Sequence, residues 1–373
     1  MEHSHWRGEF PITTDTVFFN HSAVSPLPLR AAKIGAAWLE ERCRQASENY
    51  FSWLEGVARV RSLAANLIGV DPSRICFTGN TSWGLSLVAS GLDWRAGDKV
   101  AVTWPDFPSV LFPWLNLSRL GVEVVAIPRR EGRVDLTEAA RICRGAKLVA
   151  ASTVDWMTGT TVDVAGLGRI CRQEGALFCL DAIQSLGVLP LDAQALGVDF
   201  LAAGCHKWLL GPMGLGIFYA SAKAMGLLNP VAAGWHSVAG AEDLSENFQL
   251  KPDMGRFEPG TLDVPAILGL GASLDILAEV GVDNVRASIF ALLGEIGAGL
   301  TERGLKVVSP CGPAERSSIM AFEHPDAPGL MKHFAKNRVA VSLRGGRIRL
   351  SPHFYNDAQD SRRFFQILDA YPG

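Results

Sequence analysis

The sequence predicts an α/β protein in two parts, a large domain on a mainly parallel sheet and a smaller α+β domain at the C-terminal end. Three observations predict it. Between Ile75 and Ala203, short apolar runs alternate with stretches whose apolar residues recur at helical spacing, as in βαβ units. From about Ile267 that alternation gives way to two long helical stretches, then to short strands and helices. Two of the apolar runs end at lone charged residues, Asp181 and, just past Ala203, Lys207.

The 373 residues suffice for two domains. At 48% hydrophobic and 20% charged, with no low-complexity tract, the chain is expected to fold throughout. A net charge of -3 offers no bulk attraction to nucleic acid or to an anionic membrane, so neither is expected as a partner. Seven cysteines (43, 76, 143, 171, 179, 205 and 311) include no C-x-x-C pair. Several fall within apolar strand or helix patterns, which suits buried free thiols in a reducing, cytoplasmic setting better than disulfides or a zinc site. Met1 to Gly8 is polar and lacks the apolar core of a signal peptide. No run approaches the roughly eighteen apolar residues of a membrane span. His3 and His5 read as part of a frayed terminal arm, not as metal ligands.

Taken in order, Val17-Phe-Phe begins a short strand, and Asn20 to Pro28 is a loop of small polar residues before a proline-initiated helix. A second helix carries Val57, Val60, Ala64, Leu67 and Ile68 on one face and closes at Gly69. Ile75 to Phe77 is a strand. Thr78 to Ser82 is a turn of Gly and hydroxyl residues that opens a helix from Trp83 to Ser90. Such a turn presents free N–H groups and the positive end of a helix dipole, a cradle for phosphate, although plain N-capping by Asn80, Thr81 or Ser82 explains it as well. The strand Lys99 to Thr103 ends in Trp104-Pro-Asp-Phe-Pro-Ser109, with Phe107 either in the core or presented at the strand end.

Lys147 to Ser152 is a strand, followed by a helix capped by Asp163 and ended by Gly175, then by a strand from Ala176 to Leu180 that stops at Asp181. Leu196 to Ala203 is the next strand. The ends of Thr78 to Ser82, Phe107, Asp181 and Lys207 therefore converge on the carboxyl edge of one sheet, where open α/β sheets bind ligands. In the second part, helices run to about Glu279 and from Asp283 to Arg303. Strands are expected at Leu305 to Ser309, Ser318 to Glu323, Val339 to Leu343 and Arg347 to Leu350, with a helix near Leu330 to Asn337.

A lysine between apolar runs is rarely buried unless it is paired or chemically used. Desolvated, it loses its charge easily and becomes a nucleophile toward carbonyls. A lysine, a phosphate cradle, a carboxylate and an aromatic ring at one edge suggest pyridoxal phosphate (PLP), where a lysine holds the aldehyde and an acid pairs with the pyridinium nitrogen. Gln184, three residues past Asp181, is placed to donate to the ring's phenolic oxygen. Gly211, Gly214 and Gly216 have the wrong spacing for a dinucleotide fingerprint.

Six motifs then carry a family resemblance: Asn20-His-Ser-Ala-Val-Ser-Pro-Leu-Pro28, Thr78-Gly-Asn-Thr-Ser82, Leu180-Asp-Ala-Ile-Gln184, His206-Lys-Trp-Leu-Leu-Gly-Pro212, Arg256-Phe-Glu-Pro-Gly-Thr261 and Arg349-Leu-Ser-Pro-His-Phe-Tyr-Asn356. In that order they resemble the class V aminotransferases of PLP fold type I, a group that includes cysteine desulfurases, kynureninase-like lyases and isopenicillin N epimerase-like proteins. The resemblance implies a seven-stranded type of sheet, an N-terminal arm over residues 1–19 on the small domain, a PLP-binding domain over 20–262 and a small domain over 263–373. It implies that Lys207 holds the cofactor as a Schiff base and shuttles the Cα proton, that Asp181 pairs with the ring nitrogen, and that Gln184 contacts the phenolic oxygen. By the same resemblance Thr81, Ser82 and His206 hold the phosphate and Phe107 stacks on the ring. Gly260 and Thr261 would reach the phosphate of a neighbouring subunit in a homodimer with shared sites. Arg349 would clamp the α-carboxylate of an amino-acid substrate, and Asn20, His21, Ser22 and Ala23 would line the substrate side.

The sequence departs from relatives at three places. Val339 to Arg349 holds no cysteine of the kind desulfurases carry before the carboxylate-binding arginine, and the nearest, Cys311, lies in Ser309-Pro-Cys-Gly-Pro313. Trp156 stands where many relatives place an asparagine. Ala203-Gly-Cys-His206 lacks a serine that usually contacts the phosphate. Transamination, β-elimination of the C–S lyase type and epimerisation all remain open, as do a desulfurase with a relocated cysteine and a PLP-binding scaffold or regulator. Trp235-His236 and Trp156 are either lids on the substrate pocket or packing.

Overall fold

Leu148–Ser152, Leu177–Asp181 and Phe200–Gly204 are buried along their whole length. Near-continuous apolar runs of this kind suit strands covered on both faces. In the computed structural model, which describes residues 4–240 and 248–372, they form the centre of an eight-stranded sheet. Across the sheet the strands run Ile75–Thr78, Gly216–Ala220, Phe200–Gly204, Leu177–Asp181, Leu148–Ser152, Lys99–Trp104, Glu123–Arg130 and Arg133–Val134. Neighbours from Phe200–Gly204 to Glu123–Arg130 are parallel. Gly216–Ala220 runs against both of its neighbours. Ile75–Thr78 therefore points the same way as the parallel strands, and its end joins theirs at one edge.

Successive strand residues point to opposite faces, and the two faces have separate cores. Val149, Ala151, Phe178, Leu180 and Leu201 pack on one side. Leu148, Ala150, Leu177, Cys179 and Phe200 pack on the other. On the first side the helix Val264–Val280 packs across Leu29–Gln45 and Tyr50–Asn66. It comes so close that a Cβ on Gly271 would meet Val60 Cγ2 at 2.6 Å.

The C-terminal part holds a three-stranded antiparallel sheet with Arg347–Leu350 between Met320–Phe322 and Ser342–Arg344. Its hairpin turns on Gly345 and Gly346, at φ 55° and 77°. Two consecutive positive φ values give the type I′ turn that suits the twist of a two-residue hairpin. The N-terminal arm joins this part. Val17–Phe18 pairs in parallel with Val339–Ala340, Phe10 stacks on Tyr355 at 3.8 Å, and Arg7 pairs with Asp360 at 2.8 Å.

Several expectations are corrected. The sheet has eight strands, not seven, because Glu123–Arg130 turns back through the short strand Arg133–Val134. The strand read as starting at Leu196 starts at Phe200, since 193–197 fold as a turn. Among the described residues Leu305 to Ser309 makes one isolated antiparallel bridge, Val307 to Phe322, and the later helix spans Ala327–Lys336. The helix read from Trp83 begins at Thr81, capped by Asn80. His3 lies outside the described residues. Among the described residues no single helix is long and apolar enough to cross a membrane.

Candidate active site

The strand ends Thr78, Trp104, Ser152, Asp181 and Gly204 share one edge, and the predicted site assembles on it. Lys207 sits three residues past Gly204, in a loop closed by its own backbone. Leu210 N donates to Lys207 O at 3.0 Å and Gly211 N to Cys205 O at 2.9 Å. Two hydroxyls from elsewhere clamp the loop: Ser25 Oγ donates to Lys207 O, and Ser273 Oγ to Leu210 O. The lysine is 9% exposed. Burial pushes its amine down to about 8; Asp181 opposes this, while Arg349 and Arg344 add to it.

Asp181 is buried too. Burial raises its carboxyl to about 7, against a hydrogen bond from Ile183 N to Oδ1 at 2.9 Å and the pull of Lys207. The two charges influence each other, yet neither forms an ion pair among the described residues. The Phe107 ring centre is 5.7 Å from Lys207 Nζ, and the ring meets Trp156 edge-on at 5.5 Å.

At the adjoining strand end, the Asn80 side chain accepts from Trp83 N at 2.9 Å. The N–H groups of Thr81 and Ser82 lie between Asn80 and the capped Trp83 N–H and have no partner within the helix. Thr81 is buried, its hydroxyl accepting from Gly204 N at 2.9 Å. Ser82 is exposed and bonded to Ser109 Oγ at 2.7 Å. A Cβ on Gly216 would meet Thr78 Oγ1 at 2.9 Å and Asn80 Cα at 3.1 Å, so glycine keeps this turn close to the sheet. His206 packs its ring over Gly204, and burial lowers its proton affinity.

Arg349 is 2% exposed. Its Nε donates to Ser342 Oγ at 3.1 Å and its Nη1 to the Trp156 carbonyl, both neutral acceptors. Burial, with Arg344 next, lowers its proton affinity to about 10. Gln184 is held at both ends: its Oε1 accepts from Trp208 Nε1 at 2.9 Å, and its Nε2 donates to Ser22 O at 3.1 Å. Asn20 bridges to Ser351, and its buried Oδ1 has no partner among the described residues. Ala23 N closes the turn on Asn20 O at 3.1 Å.

His21 and Ser22 are bonded within the protein. His21 is fully buried; its Nδ1 meets Ser351 O at 2.8 Å and its Nε2 meets the Tyr355 hydroxyl. Both ring nitrogens are thus used inside the protein, where burial holds the imidazole neutral. The Ser22 hydroxyl likewise bonds Ser351 Oγ at 2.8 Å. Gly260 and Thr261 lie at the surface, with open space where a Gly260 Cβ would point.

Sequence reasoning missed the support behind the rings. Arg129 is buried between Asp106, at 3.0 Å, and Asp155, at 3.5 Å. Asp106 accepts from Thr103 Oγ1, Ser152 Oγ and Phe107 N, at 2.8, 2.7 and 2.7 Å. Asp155 accepts from Met157 N and Thr158 N. The cluster fixes the two loops that carry Phe107 and Trp156. Its only sequence signal was a lone carboxylate in each of Trp104-Pro-Asp-Phe-Pro108 and Val154-Asp-Trp-Met157; Arg129 is masked by the charged run that follows it.

The residues fit PLP. A buried amine, a buried carboxyl apart from it, orphan N–H donors at a helix start and an arginine without a carboxylate supply what an aldehyde, a ring nitrogen, a phosphate and an amino-acid carboxylate each need. The family model for Aminotransferase class-V matches residues 37–360. The chain belongs to the class V aminotransferase family. This class V protein is a PLP-dependent transferase or lyase of fold type I that acts on an amino acid. It is 29% identical to a probable cysteine desulfurase of Methanothermobacter thermautotrophicus, over 98% of this chain and 97% of the relative. The structure of a cysteine desulfurase from Thermococcus onnurineus superposes with a TM-score of 0.90 at 26% identity, covering 98% of this chain and 97% of that one. A cystine C-S lyase solved with cysteine persulfide shares the fold, with a TM-score of 0.89 at 24% identity, over 98% of this chain and all of the other.

Proposed function

We propose that this enzyme cleaves the C–S bond of a cysteine-type amino acid by β-elimination. The observation that carries the reading is a depressed-pKa lysine, Lys207, within the electrostatic reach of a buried arginine that lacks a carboxylate, Arg349. The names of the relatives support sulfur chemistry. The absence of cysteine from Val339 to Arg349 favours elimination over transfer of sulfur to a protein thiol. Cys311, the thiol a relocated desulfurase mechanism would use, instead lines a cavity of about 580 Å³ with Phe290, Gly297 and Met320.

When bound, PLP withdraws electrons from Cα and acidifies its proton. Arg349 would grip the substrate carboxylate and fix the substrate's orientation. The neutral Lys207 amine takes the Cα proton, and its low pKa keeps that amine available near neutral pH. Asp181 would accept a hydrogen bond from the ring nitrogen of PLP, which would favour its anion over the neutral acid that burial alone prefers. Thr81, Ser82 and His206 bind the phosphate at the helix start. Phe107 and Trp156 cover the site and exclude water, and Asn20 Oδ1 accepts from the substrate side. Exposed Trp83, Phe112, Met213 and Trp235, with surface Gly260 and Thr261, support a homodimer whose partner completes the phosphate site. Seven free cysteines suit a reducing cytoplasm.

Product analysis on the holoenzyme with L-cysteine and L-cystine tests the reading. Elimination yields pyruvate and ammonia in equal amounts, with the sulfur leaving as sulfide from cysteine or as cysteine persulfide from cystine. Alanine as the main product, lost in a Cys311→Ser variant, would establish the desulfurase alternative.

A further inference from the structure

The C-terminal part holds a cavity that the site at the sheet edge does not use. Its volume is about 580 Å³, and it lies between the helix Val282–Glu302 and the segments 307–311 and 316–320. That size falls in the range of small-molecule pockets, and the walls are mainly apolar, as in such pockets. Phe290, Gly294, Gly297 and Thr301 line it from the helix, at spacings of four and three that put them on one face. Glycine inside a helix is less stable than alanine, so each glycine there needs a reason. Met320 supplies one for Gly297, where a Cβ would meet its Cε at 3.0 Å. Gly294 has no such neighbour: no atom lies within 4 Å of where its Cβ would point. The effect of the two glycines is to keep the middle of this wall hollow.

The same cavity has a cation without a partner. Arg316 lays its guanidinium over the Phe290 ring, 4.1 Å from the ring centre. Its Nε is buried and has no hydrogen-bond partner among the described residues. A buried donor left without an acceptor is destabilising, more so on a charged group. Its neighbour in sequence, Glu315, is taken by Arg133 at 2.7 Å. Glu302 also lines the cavity, yet among the described residues it makes no ion pair with Arg316. The backbone of Arg316 is fixed independently of its side chain: Thr161 Oγ1 donates to Arg316 O at 3.1 Å, and Arg316 bridges Thr160. The guanidinium is therefore held in place at the cavity wall with its polar edge unsatisfied.

We propose that this cavity is a second ligand site, which takes a small amphipathic monocarboxylate. The carboxylate pairs with Arg316 and supplies the acceptor that Nε lacks, in the planar geometry that suits a guanidinium. The apolar chain or ring of the ligand lies against Phe290, Leu293, Ile319 and Met320. Neither Lys207 nor Arg349 lines the cavity, so the site stands whether or not the enzyme cleaves C–S bonds.

Calorimetric titration of the holoenzyme tests it, with octanoate and 3-phenylpropionate as probes against octanol and octylamine. Lacking an amino group, the two carboxylates cannot displace Lys207 from the cofactor. They are expected to bind about 10-fold more tightly than octanol, the low end for a hydrogen bond to a charged group, and octylamine more weakly still. Arg316→Gln should bring both carboxylates down to the affinity of octanol. Gly294→Leu should abolish binding of all the probes while keeping or raising the melting temperature, because leucine is the better helix former. Arg349→Gln should leave probe binding unchanged. Octanoate should also slow alkylation of Cys311, which lines the cavity, and not that of Cys43; both thiols are exposed. Equal binding of octanoate and octanol by the wild-type protein overturns the proposal, as does binding of no probe at millimolar concentration, and neither arm needs a variant to fold. Carboxylate binding that survives Gly294→Leu, or that is lost in Arg349→Gln, puts the probe elsewhere and overturns it as well. So does alkylation of Cys311 at its full rate under saturating octanoate.

Discussion

Lys207 and Asp181 stand at the ends of adjacent strands, both buried, each moving the other's titration without forming an ion pair among the described residues. Two opposite charges in a desolvated site normally close on each other. Their separation leaves each with a need that PLP would meet: an aldehyde for the amine and a protonated ring nitrogen for the acid.

The pair makes the cofactor-free protein pH-sensitive in a defined sense. Asp181 has a raised pKa, so its contribution to stability is present at acid pH and is lost as pH rises from its usual 3.8 through about 7. Lys207 has a lowered pKa, so its charged form costs stability at low pH, and that cost is relieved between about 8 and the usual 10.5. Asp181→Asn should therefore raise the melting temperature of the apoprotein at pH 8, and the gain should vanish near pH 4. The same substitution should slow turnover by the holoenzyme. Melting curves across pH check the first effect, and a pH-independent gain would refute the titration argument.

Lys207→Ala should remove the visible band of the lysine-bound cofactor and lower turnover by about 10²- to 10⁴-fold or more, the scale of a lost general base. An unchanged spectrum in that variant sinks the assignment of Lys207.

Arg349→Gln should raise KM for the amino acid by about 10- to 100-fold, as expected for a lost charge-assisted carboxylate contact. Arg349→Lys should recover part of it, because lysine keeps the charge without the planar fork. Steady-state kinetics with both variants decide this.

Arg129→Met removes the cation from a buried cluster that also contains Asp106 and Asp155. Stranding two buried carboxylates should cost about 3–5 kcal/mol. Urea denaturation measures the loss, and a change under about 1 kcal/mol would show that the cluster carries little of the fold.

Gly216→Ala should weaken PLP binding by about tenfold, since the added methyl presses on Thr78 and Asn80 at the phosphate turn and overpacking of this kind costs about 1–3 kcal/mol. Equilibrium dialysis of the apoprotein with PLP reads this without relying on turnover.

The central strands and the capped helices were legible because their signals are local. Continuous apolar runs announced Leu177–Asp181, and Asp163 with Gly175 bracketed the Val164–Glu174 helix. Leu305 to Ser309 has the residues of a strand, but among the described residues it bonds only a short stretch of one neighbour, around Phe322, as an isolated bridge. His21 lay in a motif that pointed to substrate, yet its ring turns inward because Ser351 and Tyr355, more than three hundred residues later, offer it two partners. Only a folded chain supplies such partners.

By itself the sequence determined the sheet's alternation, the lysine and aspartate at its edge and the family, because each depends on residue type and short-range spacing. The tertiary structure alone decided the Asp106–Arg129–Asp155 support, the hydroxyl clamps on the Lys207 loop from Ser25 and Ser273, and the cavity beside Arg316. Those depend on which distant segments meet, and burial sets their energies only once the segments have met.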